Sequence, residues 1–230
     1  MLYAVLKPLV AAFLRLVFRL RATGAEHVPR QGPLLLAANH VSVLDPPVVG
    51  SGAPRPLQFM AKAELFRIPL FGWLIRGLNA YPVEREGADA GALRHALLLL
   101  REGKALLVFP EGTRGREGTL GAGQPGAGLL AARSEAPVVP VYIRGTGVIL
   151  PKGARRLRRA AISVTFGPPL RFNRGRGRQH YQEISDQIMA AIGRLKAAVE
   201  GAPGAAEIEP ARTHNAERTA RGPLPAGQQH

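Results

Sequence analysis

Three short clusters in the 230-residue chain combine residue types and spacings that suit chemistry, and each closes an apolar run. The first is Asn39-His40, which ends Leu34-Leu35-Leu36-Ala37-Ala38 and precedes Asp45-Pro46-Pro47. An imidazole exchanges a proton near neutral pH, and a carboxylate bonded to one ring nitrogen leaves the other to act as a base. Residues five apart on a helix point about 140° apart, so His40 and Asp45 meet only if His40 lies in a turn ahead of the helix. Asp45 followed by proline is an N-cap pattern. The spacing therefore has two readings: a capping carboxylate with a bystander histidine, or a base with its orienting acid. Ser42 lies between them and is the rival nucleophile.

The second cluster is Phe109-Pro110-Glu111-Gly112-Thr113-Arg114, after the apolar run Ala105 to Val108. A glycine lets backbone come close to a ligand, and neighbouring amides can face an oxyanion. The Arg114 guanidinium matches a phosphate. A plain turn with a solvent-facing arginine is the alternative. The third cluster, Tyr81-Pro82-Val83-Glu84-Arg85, ends in an arginine that is either a second phosphate ligand or an ordinary surface residue.

Taken in order, N-H-x4-D, the short run ending in Arg85, FPEGTR and Val139-Pro140-Val141 resemble the glycerolipid acyltransferase family, lysophosphatidic acid acyltransferase type, over roughly residues 30 to 145. The resemblance implies an O-acyltransferase of phospholipid biosynthesis. It would move a fatty acyl group from an acyl thioester to the sn-2 hydroxyl of 1-acylglycerol 3-phosphate, giving phosphatidate. Acyl-CoA or acyl carrier protein is the co-substrate, with no cofactor and no metal. The implied catalytic pair is His40 and Asp45, with the lipid hydroxyl attacking directly. Arg85, Gly112, Thr113 and Arg114 would hold the acceptor and its phosphate, and Glu111 would orient a glycerol hydroxyl or lock an arginine. Oxyanion donors are expected near Glu111-Gly112-Thr113 or beside the His40 turn. Asn79 stands where the family usually has glycine, and Gly115 where serine often follows the arginine. Both departures bear on the acceptor more than on the reaction, so another lysolipid or glycerol 3-phosphate is the alternative acceptor.

Composition agrees with this reading. There is no cysteine, which excludes disulfides, thiolate nucleophiles and Cys-ligated metals. The six histidines show no ligand spacing. The formal charge of +15 favours anionic partners: lysophosphatidate, the acyl donor, or an anionic membrane surface. Residues 151–180 hold nine Lys or Arg and no acid. A basic nucleic-acid-binding domain is the competing class, but few aromatics lie near that run and no nucleic acid is expected.

The elements that must carry these clusters alternate. Residues 1–21 form a basic amphipathic helix whose longest uninterrupted apolar stretch is Pro8 to Leu14, far short of the roughly 20 residues needed to cross a bilayer. It suits the membrane interface or ordinary packing on the domain, with Arg15 and Arg19 on one face. Strands are expected at 34–38, 57–60, 80–83, 105–109, 138–143 and 162–166. Helices are expected at 87–101, 129–134 and 181–199, with helical spacing over 64–76 broken at Pro69. Residues 22–32 read as a loop, and the glycine-rich stretch 115–128 as a mobile one. Residues 22–200 form the acyltransferase domain and 201–230 a disordered tail. The fold class is α/β, a mostly parallel central sheet covered by helices on both faces. The expected location is the cytoplasmic face of the cell membrane, peripheral or monotopic.

Overall fold

A computed structural model describes residues 2–83, 90–154 and 156–202. Arg85 and the chain from 203 onward, which includes most of the expected tail, lie outside the described residues.

The order is α1 (Leu2–Phe18), β1 (Arg21–Thr23), β2 (Leu34–Ala38), α2 (Asp45–Gly52), β3 (Leu57–Lys62), α3 (Phe71–Gly77), β4 (Ala80–Val83), α4 (Ala90–Arg101), β5 (Ala105–Val108), α5 (Pro125–Ser134), β6 (Val138–Arg144), α6 (Thr146–Ile149), β7 (Ser163–Phe166) and α7 (Arg178–Glu200). The seven strands form one sheet in the order β1-β7-β6-β2-β5-β3-β4. Every pairing is parallel except β6 with β7.

The run Leu34 to Ala38 is continuously apolar because β2 is the central strand and is buried on both faces. Leu34, Leu36 and Ala38 join one core with Leu14 and Phe18 of α1 and Val48 and Val49 of α2. Leu35 and Ala37 join the other with Leu100 of α4, Leu130 of α5 and Ile184, Ile188 and Ile192 of α7. The period of two along a strand thus feeds two apolar layers. Pro82 sits in β4, an edge strand, where the missing amide costs no central ladder bond.

Four local expectations change. β1, inside the expected loop, is exposed and only three residues long, so it has no apolar signature; it exists by pairing with β7. The helix at 129–134 begins four residues earlier, at Pro125, a residue suited to a first helical turn. The glycine-rich stretch 115–128 is tied down, with Gly115 N–H donating to the His40 carbonyl at 2.8 Å and Gln124 N–H to that of Pro110 at 2.8 Å. Arg19 lies past the end of α1 with φ 50°, so it does not share a helical face with Arg15. Asn79 takes φ 65°, the left-handed conformation that asparagine tolerates better than most side chains.

α1 is apolar on two sides. Ala11, Leu14 and Phe18 are buried against the domain, while Val5, Leu9, Phe13 and Leu16 form an exposed stripe, Leu16 at 83%. Among the described residues, no helix is long and apolar enough to cross a membrane.

α5 and α7 touch backbone to backbone at Gly128, where an added Cβ would stand 1.9 Å from the Tyr181 carbonyl oxygen. Alanine gains about 1 kcal/mol of helix propensity over glycine, but this obstacle is backbone and cannot rotate away. Gly128→Ala is expected to lower stability by about 1–3 kcal/mol, read from urea denaturation. Gly126→Ala in the same helix meets nothing within 4 Å and should be neutral or stabilising.

Candidate active site

Neighbouring parallel strands β2 and β5 are in register, Leu36 opposite Leu107 and Ala37 opposite Val108. Their chain continuations therefore leave the same sheet end side by side, where ligands gather in open parallel sheets. The His40 and Phe109 rings stack there at 3.9 Å between centroids and 16° between planes.

His40 precedes α2, as the spacing required, and its Nδ1–H donates to Asp45 Oδ2 at 2.7 Å. The same oxygen accepts the amides of Val41 at 2.7 Å and Ser42 at 2.8 Å, and Oδ1 accepts the Thr146 hydroxyl at 2.6 Å. Asp45 is fully buried, and four donors compensate its desolvation. With Nδ1 engaged, Nε2 is the ring nitrogen left to accept a proton.

Asp45 is not the side-chain cap its sequence suggests. It is the first residue of α2, its N-cap is Leu44, and no side chain caps this end. The reason is local: Pro46 and Pro47 have no N–H to cap, and Val48 N–H already bonds to the Leu44 carbonyl at 3.1 Å. The carboxylate is thereby free to turn back onto the 40–42 segment.

Ser42 loses its standing as a rival nucleophile. It is fully buried, its hydroxyl donates to the Leu150 carbonyl at 2.8 Å, and its oxygen accepts the Leu44 amide at 3.3 Å. Asn39 also points away from chemistry. Its amide exchanges two hydrogen bonds with the Ile143 backbone, at 2.9 and 2.7 Å, and clamps the end of β2 to β6.

The loop after β5 grips His40 by its backbone. Glu111, buried, accepts the His40 N–H at 3.1 Å through Oε1 and the Gly121 N–H at 2.9 Å through Oε2. Its carboxylate thus bonds two backbone amides, a role the sequence did not suggest. Gly112, with φ 69°, donates to the Phe109 carbonyl at 3.0 Å and closes the turn. Thr113 is exposed and Arg114 half-buried beyond it. Gly115 then returns to the His40 carbonyl. His40, Asp45, Glu111, Gly112, Thr113 and Arg114 therefore share one sheet end. The amides of His40, Val41 and Ser42 are all engaged, so none of these three is free to donate to an oxyanion.

Two residues escaped sequence reasoning. Thr146 bonds Asp45 from 101 positions away, with no local signal to reveal it. Glu117 accepts the amides of Gly145 and Gly147 at 2.7 Å each, and burial pushes its carboxyl above the ordinary carboxylate range. Among the described residues no group of three His, Asp or Glu side chains is arranged to hold a metal ion.

Known proteins resemble this chain in sequence and in fold. A family model described as Acyltransferase matches residues 19–144. A chloroplastic 1-acyl-sn-glycerol-3-phosphate acyltransferase of Arabidopsis thaliana is 32% identical over 140 residues, 60% of this chain and 39% of that one. A 1-acyl-sn-glycerol-3-phosphate acyltransferase of Streptococcus pneumoniae is 34% identical over 149 residues, 63% of this chain and 53% of its own. The match thus spans about half or less of these two relatives' length. In three dimensions the chain resembles the crystal structure of the 1-acyl-sn-glycerophosphate acyltransferase PlsC from Thermotoga maritima, with TM-score 0.68 and 27% identity, covering 83% of this chain and 80% of that one. With the family pattern running from the end of α1 through β6, and its polar clusters gathered at one end of the sheet, the chain belongs to the acyltransferase family.

Proposed function

We propose that the protein acylates the sn-2 hydroxyl of 1-acylglycerol 3-phosphate from an acyl-CoA or acyl carrier protein thioester, giving phosphatidate. The observation that carries this reading is the His40–Asp45 pair held at 2.7 Å with no free serine beside it. A fixed imidazole without a protein nucleophile suits a substrate hydroxyl in the position a catalytic serine takes elsewhere. The names of the relatives support the lysophosphatidate acceptor.

The hydroxyl oxygen attacks the thioester carbonyl carbon as its proton passes to His40 Nε2. Asp45 stabilises the imidazolium through Nδ1–H. The tetrahedral oxyanion collapses, the carbon–sulfur bond breaks, and the thiolate recovers the proton. Among the described residues no hydrogen bond occupies the Glu111, Thr113 or Arg114 amide, so these are candidate oxyanion donors in the loop. The Arg114 guanidinium, joined by Arg85, binds the acceptor phosphate.

The protein works from the cytoplasmic face of the cell membrane. Two surfaces support that location: the apolar stripe of α1 and the basic segment holding Lys152, Arg156, Arg158 and Arg159, all exposed. They adjoin, because Ile162 N–H bonds to the Phe18 carbonyl at 2.9 Å. The rest of the basic run lies elsewhere. Leu170 bridges to Val138 at the start of β6, so Arg171, Arg174, Arg176 and Arg178 follow the sheet end opposite the site.

His40→Ala and Asp45→Asn should each lower kcat by at least about 10²-fold, measured as lysophosphatidate-dependent thiol release. Near-normal turnover in His40→Ala would sink the mechanism. Arg114→Ala should raise KM for lysophosphatidate by about 10- to 100-fold and leave KM for an acceptor without phosphate unchanged; an equal loss on both acceptors removes the phosphate role. Flotation with phosphatidylglycerol and phosphatidylcholine vesicles tests the surface. Preferential binding to the anionic vesicles is expected, and equal binding would count against the basic segment.

A further inference from the structure

Glu117 comes from the same loop as Glu111 but reaches the other half of the catalytic pair. Its two carboxylate oxygens accept the amides of Gly145 and Gly147, at 2.7 Å each, the residues on either side of Thr146. Thr146 is fully buried, and its hydroxyl donates to Asp45 Oδ1 at 2.6 Å, the shortest bond Asp45 makes. The site is shaped for this clamp. An added Cβ at Gly147 would stand 2.6 Å from Glu117 Oε2 and 3.2 Å from the Val41 Cβ, while Gly145 takes φ 94° and its Cβ would strike the Ala161 carbonyl oxygen at 2.0 Å. Both positions demand glycine, one by backbone conformation and both by contact.

We infer that Glu117 is a positioning residue that sets the base through Thr146 and Asp45. The inference rests on the acyl-transfer reading above and adds a residue to it. The chain of contacts runs Glu117, the 145–147 turn, Thr146, Asp45, His40. Each link is a hydrogen bond of 2.6–2.7 Å apart from the covalent turn itself. A carboxylate free to take several donors needs a fixed one to choose its rotation about the Cβ–Cγ bond. The Val41 and Ser42 amides bind Oδ2 together with His40, so only Thr146 fixes Oδ1.

Burial is the largest influence on Glu117 and pushes its carboxyl up; the negative charge of Asp45 adds to this, and the two glycine amides and Arg144 pull it back without cancelling it. A carboxyl raised in the folded protein makes its ionised form a cost. That cost is absent below the ordinary carboxylate range and is complete once pH passes the raised value.

The arrangement gives the loop after β5 a single task with two arms. Glu111 holds the His40 N–H, Glu117 holds the turn that holds Asp45, and Arg114 lies midway between them.

The test is a double-mutant cycle on the full chain, with lysophosphatidate and acyl-CoA or acyl carrier protein, whichever the wild type uses. Glu117→Ala should lower kcat by roughly 10- to 100-fold and leave both KM values within twofold. Thr146→Val should do the same, and the double variant should be no worse than Thr146→Val alone, because the effect of Glu117 passes through Thr146. Glu117→Gln, which keeps the volume and one acceptor oxygen, should fall between wild type and Glu117→Ala. Should Glu117→Ala fail to fold, Glu117→Gln carries the cycle. Unchanged kcat in Glu117→Gln and Glu117→Ala, a change confined to KM, or fully additive losses would each overturn the inference. Such results beside an inactive His40→Ala leave the acyl-transfer reading standing; an active His40→Ala removes both.

Discussion

The site depends on one backbone residue being held from two directions. His40 follows the central strand, where the chain would ordinarily fray into a turn. Its N–H is taken by the Glu111 carboxylate and its C=O by the Gly115 amide, both from the loop after the neighbouring strand. Those bonds fix the backbone, Phe109 limits the ring to one plane, and Asp45 selects the nitrogen that remains. A mobile histidine would have to be ordered in each turnover, at a cost set by its backbone and side-chain freedom. Here folding meets that cost beforehand, and on the proposed reading the base stands ready before the acceptor arrives.

The glycines of FPEGTRG follow from that grip more than from any ligand. Gly112 supplies the positive φ that closes the turn. An added Cβ at Gly115 or Gly121 would stand 3.3 or 2.8 Å from Glu111 Oε2. The loop must fold tightly around one carboxylate, and side chains at those points would push it aside. The prolines after Asp45 have a comparable role, because a helix start with no free amides makes no demand on the acid at its head. The same pattern that looks like a cap is what prevents one.

Much of this was legible in the sequence. Apolar runs of four to six residues, alternating with helical periods, specified a mostly parallel sheet covered on both faces, and a five-residue gap required His40 to precede its helix. What stayed hidden is non-local. β1 has no apolar pattern, and the strand it pairs with, β7, is more than 130 residues away. Thr146 and Glu117 are ordinary polar residues in the sequence, given meaning only when β6 brings its end beside β2. Glu111 was found, but its grip on two backbone amides was not: a carboxylate beside an arginine suggests an ion pair, and only the fold brings the His40 and Gly121 amides to it. The glycine-rich stretch looked mobile for the converse reason, since backbone-to-carboxylate bonds leave no trace in composition.

The two surfaces offered for lipid contact differ in their physics. On the proposed reading, the α1 stripe of Val5, Leu9, Phe13 and Leu16 gains by leaving water, about 25 cal/mol for each Å² removed, with little dependence on salt. Lys152, Arg156, Arg158 and Arg159 act through charge and are screened over about 8 Å at physiological ionic strength. Leu157, 58% exposed between arginines, joins the two kinds of contact in one segment. That segment starts at Leu150, whose carbonyl holds the Ser42 hydroxyl, and ends at Ile162, bonded to the last residue of α1. The segment proposed to meet the bilayer is therefore tied by a hydrogen bond to the turn that carries His40. A lipid drawn to it arrives beside His40, whereas one drawn to Arg171–Arg178 would arrive at the far end of the sheet. Position along the sheet, more than total charge, decides which arginines can serve the reaction.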